Sequence, residues 1–209
     1  MSKLSNLASF HATHLELRRG RRLIWEDATW SVQGTTTLVG PNGQGKSSTI
    51  RMLAGQLAPT SGTLSFCAAD GDVSAEAWMT RCSVAAPWLN LPGHLTLDEA
   101  MSFHGVYRTP RTGTMHWAAL VKASGLSVDP SLPVSQWSSG QQQRLMLALA
   151  LGTKADAVLL DEPASNLDAA GIQWMRAQMT AVRALSTVVV ATNDEKKEGL
   201  EGASLLRIG

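Results

Sequence analysis

The nine residues Gly40-Pro41-Asn42-Gly43-Gln44-Gly45-Lys46-Ser47-Ser48 constrain this chain more than any other stretch, because they satisfy G-x-x-x-x-G-K-[ST] at every fixed position. Such a loop needs a strand before it and a helix after it. Residues 35–39 form a short β-branched and apolar run and residues 48–57 have helical composition, so both flanks are present. Glycines at these places let the backbone curl until successive N–H groups converge on the β- and γ-phosphates of a nucleotide, and the first turn of the helix adds its partial positive charge. In that geometry Lys46 reaches the β- and γ-phosphates and the Ser47 hydroxyl ligates Mg²⁺. The plain alternative is a Gly-rich turn that happens to hold a lysine, and the flanks weigh against it.

Composition narrows the rest. A chain of 209 residues with 44% hydrophobic content suffices for one domain with a substantial core. With a formal net charge of +1 and its cationic residues read as dispersed, the charge balance points to neither nucleic acid nor an acidic surface. Cys67 and Cys82 have neither metal-ligand spacing nor the density of a disulfide scaffold, which suits a reducing compartment. No apolar run reaches the roughly 20 residues that cross a bilayer, and residues 1–10 lack the apolar core of a signal peptide. Any membrane role therefore comes through a partner.

Taken in order, residues 10–39 alternate and are punctuated by turns, which predicts strands over 10–17, 23–25, 28–32 and 35–39. Pro59-Thr60-Ser61-Gly62 turns the chain into a strand over 63–66, and 81–86 is a further candidate. The character then changes. Thr96-Leu97-Asp98-Glu99 has capping-box spacing and opens a helix to about residue 107. A second helix from about residue 114 puts Trp117, Leu120 and Val121 on one face before Gly125. The third follows Ser139-Gly140 to about residue 151, with Gly152 as its expected C-cap.

Residues 157–160 form a wholly apolar strand ending on Asp161-Glu162, and a long helix over 168–185 carries Ile172, Met175, Met179 and Val182 on one stripe, read as core. Residues 187–192 and 203–208 are the last strands. Strands alternating with helices imply a parallel sheet covered on both faces. Asp161 and Glu162 at the carboxyl end of a buried strand stand where ligands bind in open α/β sheets. Beside a phosphate loop, Asp161 supplies a Mg²⁺ contact and Glu162 polarises a water for in-line attack. Without that loop, such a pair reads more simply as a solvated strand end.

These blocks together resemble the ATP-binding cassette (ABC) ATPases over nearly the whole chain. Residues 40–48 look like the Walker A loop, Trp137-Ser138-Ser139-Gly140-Gln141 like the signature motif, 158–163 like Walker B, and Ser165-Asn166-Leu167-Asp168 like the D-loop. The resemblance implies a P-loop NTPase cassette of class α/β, with a mostly parallel sheet, an antiparallel β subdomain and an inserted helical subdomain. Residues 1–88 and 153–209 would form the core and 89–152 the helical insert. It implies ATP and Mg²⁺ as cofactors and two cassettes packed head to tail, so that Ser138, Gly140, Gln141 and Asp168 of one approach the nucleotide on the other. Lys46 and Ser47 would hold phosphate and metal, Ser48 would touch the α-phosphate, and Glu162 would be the general base.

Four positions depart from the family. Arg19 stands near the place of the adenine-stacking aromatic, where its planar guanidinium is able to stack instead. Ser139 replaces the first signature glycine. Trp88 replaces the Q-loop glutamine, as either an interior aromatic or an anchor for a partner. Asn193 replaces the switch histidine; it hydrogen-bonds but carries no proton or positive charge. Keeping Glu162 while losing both accessory residues implies slow hydrolysis. The expected protein is the nucleotide-binding subunit of a small exporter-type ABC transporter, similar to the haem-exporter ATPase of cytochrome c maturation and to ABC-2 type exporters. It would work at the cytoplasmic face of the membrane with a transmembrane permease and a second nucleotide-binding subunit, identical or not, and without nucleic acid. A soluble ABC-type ATPase and an ATP-dependent dimerisation switch are the alternatives.

Overall fold

The computed structural model describes residues 7–208. Most of the segment read for a leader, residues 1–6, lies outside the described residues. A long hairpin comes first, β1 (Ser9–Arg19) and β2 (Arg22–Gln33), followed by the phosphate-loop strand β3 (Thr35–Val39) and helix α1 (Lys46–Leu53). Strands β4 (Ser61–Ala68) and β5 (Gly71–Val73), helix α2 (Ala75–Arg81) and strand β6 (Cys82–Ala85) lead to three helices: α3 (Leu97–Tyr107), α4 (Trp117–Ala123) and α5 (Ser139–Gly152). The chain closes with β7 (Ala157–Asp161), α6 (Ala169–Val182), β8 (Thr187–Thr192), α7 (Glu195–Glu198) and β9 (Ser204–Arg207).

Two sheets result. The antiparallel one has the order β2-β1-β4-β5, and the parallel one β6-β7-β8-β3-β9. In β7, Val158 and Leu160 pack with α5 and α6, while Ala157 and Leu159 pack with α1, Trp78 of α2 and the first hairpin. Alternate side chains on one wholly apolar strand thus bury against opposite layers, which is why its pattern shows no polar face. Leu145 of α5 is fully buried on the first of these faces. Leu145→Ala is expected to cost about 2–5 kcal/mol, read as a lower urea midpoint.

Several expectations change in the structure. Residues 23–25 and 28–32 belong to one strand, β2, in which Asp27 takes a left-handed φ of 43° where the pairing with β1 slips. The interruption is a bulge and not a turn. Helix α1 starts at Lys46 and stops before Gly55, whose φ of 75° ends it, rather than spanning 48–57. Strand β5 and helix α2 are additions to the expected elements; Ser74 caps α2, accepting the Ala77 N–H at 3.3 Å. Gly152 does not cap α5, since a Cβ there would lie 2.6 Å from Trp117 Cδ1, so its smallness serves packing and Thr153 ends the helix. The capping box at Thr96 and Glu99 forms as expected, and Trp117, Leu120 and Val121 are buried.

Charge is less dispersed than expected, because the tip of the first hairpin gathers Arg18, Arg19, Arg21 and Arg22. Two other arginines tie the C-terminal end of α3 and the loop after it to neighbouring elements. Arg108 donates to the carbonyls of Thr80, at 2.9 Å, and Cys82, and Arg111 donates to the Leu151 carbonyl at 3.1 Å and to Ser186 Oγ at 2.6 Å.

Candidate functional site

The phosphate loop is built as its sequence requires. Gly43 and Gly45 have φ of 74° and 106°, and a Cβ on Gly45 would fall 2.5 Å from Ile24 Cγ2, so only glycine fits between loop and hairpin. Lys46 is buried, and its ammonium donates to the carbonyls of Gly40 at 2.7 Å and Pro41 at 3.2 Å. Its charge therefore hangs over the curl of the loop. A cleft of about 200 Å³ opens there, lined by Gly43, Gly45, Lys46, Ser47, Ser48 and Glu162.

Asp161 ends β7 deep in this region, 2% exposed. Burial pushes its carboxyl above the usual carboxylate range, opposed by the nearby Ser47 hydroxyl and by the hydrogen bond from the Trp88 indole. A serine hydroxyl and a buried carboxylate near one another beside a phosphate cradle fit Mg²⁺, which takes a few oxygen ligands and leaves the remainder to phosphate and water. Glu162 follows with φ 48°, a left-handed backbone unusual for a glutamate, and its N–H donates to the Ala191 carbonyl at 2.9 Å.

Both departures in this region point into the site. Trp88 donates its indole N–H to Asp161 Oδ2 at 3.1 Å, with the Arg51 guanidinium of α1 stacked 4.3 Å from its ring centroid. The interior reading of Trp88 accounts for these contacts. Asn193 donates from Nδ2 to Asn42 Oδ1 at 2.9 Å, which brings the segment after β8 onto the phosphate loop. Arg19 is exposed at the end of β1, whereas Arg22 across the hairpin donates to the Gly43 carbonyl. The hairpin thus touches the loop through Arg22, at the start of its second strand. The run of four arginines is the signal available for that contact.

The signature segment forms a second cleft, of about 450 Å³, lined in part by Ser138, Ser139, Gly140, Gln141, Asn166 and Asp168. None of its lining residues lines the phosphate cleft. Ser138 caps α5 in a full capping box with Gln141, whose Oε1 accepts the Ser138 N–H at 2.8 Å while its Nε2 donates to the Ser127 carbonyl at 2.9 Å. The Gln141 amide is therefore engaged within the chain. Gly140 abuts the D-loop, since a Cβ there would sit 2.7 Å from the Asn166 carbonyl oxygen. Asp168 caps α6 through the Gly171 N–H at 2.7 Å and pairs with Arg144 at 2.6 Å. Two buried residues without any sequence signal, Gln143 and Glu198, bond the turn after Glu162.

Comparison with known proteins agrees with this geometry. The family model described as ABC transporter matches residues 27–165. The chain is 32% identical over 180 residues to the cytochrome c biogenesis ATP-binding export protein CcmA of Idiomarina loihiensis, covering 82% of this chain and 79% of that protein. It is 31% identical over 188 residues to the Nod factor export ATP-binding protein I of Burkholderia lata, covering 86% of this chain but only 61% of that relative's length. Among solved structures, a putative ABC transporter ATP-binding protein from Pyrococcus furiosus shares the fold with a TM-score of 0.76 at 15% identity, over 96% of this chain and 97% of that one. A bacterial Atm1-family ABC exporter with ATP bound matches 98% of this chain and 37% of that one, with a TM-score of 0.78 at 19% identity.

Proposed function

The chain belongs to the ABC transporter family, and from that premise we propose that it binds and hydrolyses ATP to drive export through a separate membrane subunit. One observation carries the reading most directly: phosphate loop and signature segment line two disjoint clefts of one chain. A nucleotide held by Gly40, Pro41, Asn42, Gly43, Gln44 and Gly45, with Lys46, Ser47 and Ser48, presents its γ-phosphate outward. Ser138, Gly140 and Asp168 of a second subunit then close over it, the N-terminal turn of α5 supplying N–H groups to the anion. The second subunit is another copy of this chain or a relative of it.

Bound Mg²⁺ would be held by Ser47 and Asp161 and would neutralise phosphate charge. Glu162, at the rim of the same cleft, takes a proton from the attacking water, and Lys46 balances charge on the transferring phosphoryl group. Asn193 donates an uncharged hydrogen bond in this arrangement and transfers no proton, which makes turnover slow. Asn193→His is expected to raise phosphate release about tenfold, the value of replacing a neutral by a charge-assisted hydrogen bond at about 1.5 kcal/mol, measured in a coupled phosphate assay.

The membrane partner docks, in this reading, at the cleft of about 280 Å³ between the segment after Trp88 and α3, where Leu89, Leu91, Phe103, Tyr107 and Met146 present an apolar floor. Phe103, Val106 and Tyr107 beside it are exposed. Among the described residues no helix is long and apolar enough to cross a membrane, and in this reading the chain works as a peripheral subunit at the cytoplasmic face. Residues 89–152 act as a helical insert between the two parts of the α/β core. The test is affinity purification of tagged Glu162→Gln protein with Mg-ATP from solubilised host membranes. A polytopic membrane protein in comparable amount supports the reading. Recovery of the chain with soluble proteins only overturns it in favour of a soluble ABC-type ATPase.

A further inference from the structure

We propose that Gln143 and Glu198 are positioning residues for Glu162, holding from two different helices the single peptide group that joins Pro163 to Ala164. Gln143 of α5 donates from Nε2 to the Pro163 carbonyl at 2.9 Å. Glu198 of α7 accepts the Ala164 N–H on Oε1 at 2.7 Å. Carbonyl and N–H belong to the same peptide plane, so one donor and one acceptor grip it from opposite ends. Both side chains are almost wholly buried, at 6% and 4% exposure. Polar atoms so placed are costly unless paired, and Gln143 Nε2 and Glu198 Oε1 pair with the backbone just after Glu162, while Glu198 Oε2 is buried without a hydrogen-bond partner among the described residues.

The device matches a need at that place. A glutamate with φ 48° sits in a sparsely populated backbone region and persists where its surroundings over-determine it. On one side the Glu162 N–H is tied to Ala191, and on the other its carbonyl accepts the Ser165 N–H at 3.0 Å. The gripped peptide completes the frame. It also strings the turn between α5, whose first residues are the signature segment, and α7, which begins just after Asn193 and Asp194. Glutamine keeps a side-chain oxygen of the same reach to accept the Ala164 N–H, so Glu198→Gln is a close substitute.

The inference rests on the reading of Glu162 as general base. The experiment uses the full chain and the near-isosteric variants Gln143→Met and Glu198→Leu, their double variant, and Glu198→Gln, with kcat and KM for ATP and the thermal midpoint of each. A displaced base costs rate and not nucleotide affinity, because a misplacement of about 1 Å is worth up to about 10²-fold. Expected are at least tenfold losses of kcat in both single variants with KM within twofold. The double variant should be little slower than the worse single, since both side chains hold one group, and Glu198→Gln should recover most of the rate. A wild-type kcat in either single variant overturns the proposal, as do multiplying losses in the double, Glu198→Gln as slow as Glu198→Leu, or KM rising as kcat falls. If Glu198→Leu does not fold, Gln143→Met and Glu198→Gln decide by the same criteria. Glu162→Gln is run alongside: full turnover there sinks the base assignment itself, whatever the other variants do.

Discussion

Glu162→Gln is expected to slow phosphate release by about 10²–10⁴-fold, the contribution of a positioned general base, while Mg-ATP stays bound. The substitution keeps the shape of a side chain lining the phosphate cleft and leaves Lys46 and its partners untouched. It removes only the capacity to take a proton from water. Nucleotide affinity, measured by equilibrium binding of a fluorescent ATP analogue, should therefore change less than threefold. The same protein should accumulate as a nucleotide-bound dimer by size exclusion, because closure over the γ-phosphate persists when hydrolysis is blocked. Loss of binding together with rate would mean that Glu162 shapes the cleft and is not its base.

Lys46→Ala is expected to act on the other side of that split. The ammonium is buried and held at 2.7 Å and 3.2 Å by two carbonyls of the loop it serves. Phosphate exchanges those neutral acceptors for charged ones, and one or two charge-assisted hydrogen bonds at about 1.5–3 kcal/mol each give roughly a 10–10⁴-fold loss of ATP affinity. Adenosine binding should be nearly unchanged, since the lysine faces phosphate and not base. A calorimetric titration with ATP and adenosine separates these outcomes. Equal weakening of both would mean that the loop itself has collapsed.

Much of this site was legible before any coordinates, for a local reason. A phosphate cradle is made by backbone over nine consecutive residues, so glycine, lysine and serine positions encode it directly. The capping box at Thr96 is equally local. Where reading failed, the cause was local composition answering to a distant neighbour. Residues 23–32 read as two strands because β2 bulges against β1, and Gly152 looked like a cap because Trp117 from another helix leaves no room for a Cβ.

By itself, the order of residues determined the phosphate loop, the apolar strand ending on Asp161-Glu162, the signature and D-loop segments, and the alternation of strand and helix that makes a covered parallel sheet. Only the tertiary structure decided that Trp88 turns its indole to Asp161, that Asn193 meets Asn42, that Arg22 touches the loop, and that Gln143 and Glu198 grip one peptide. Those are hydrogen bonds between residues far apart in the chain, each dependent on distance and angle. Such bonds leave no period or spacing in the sequence, because any strand or helix of suitable register is able to bring the two partners together.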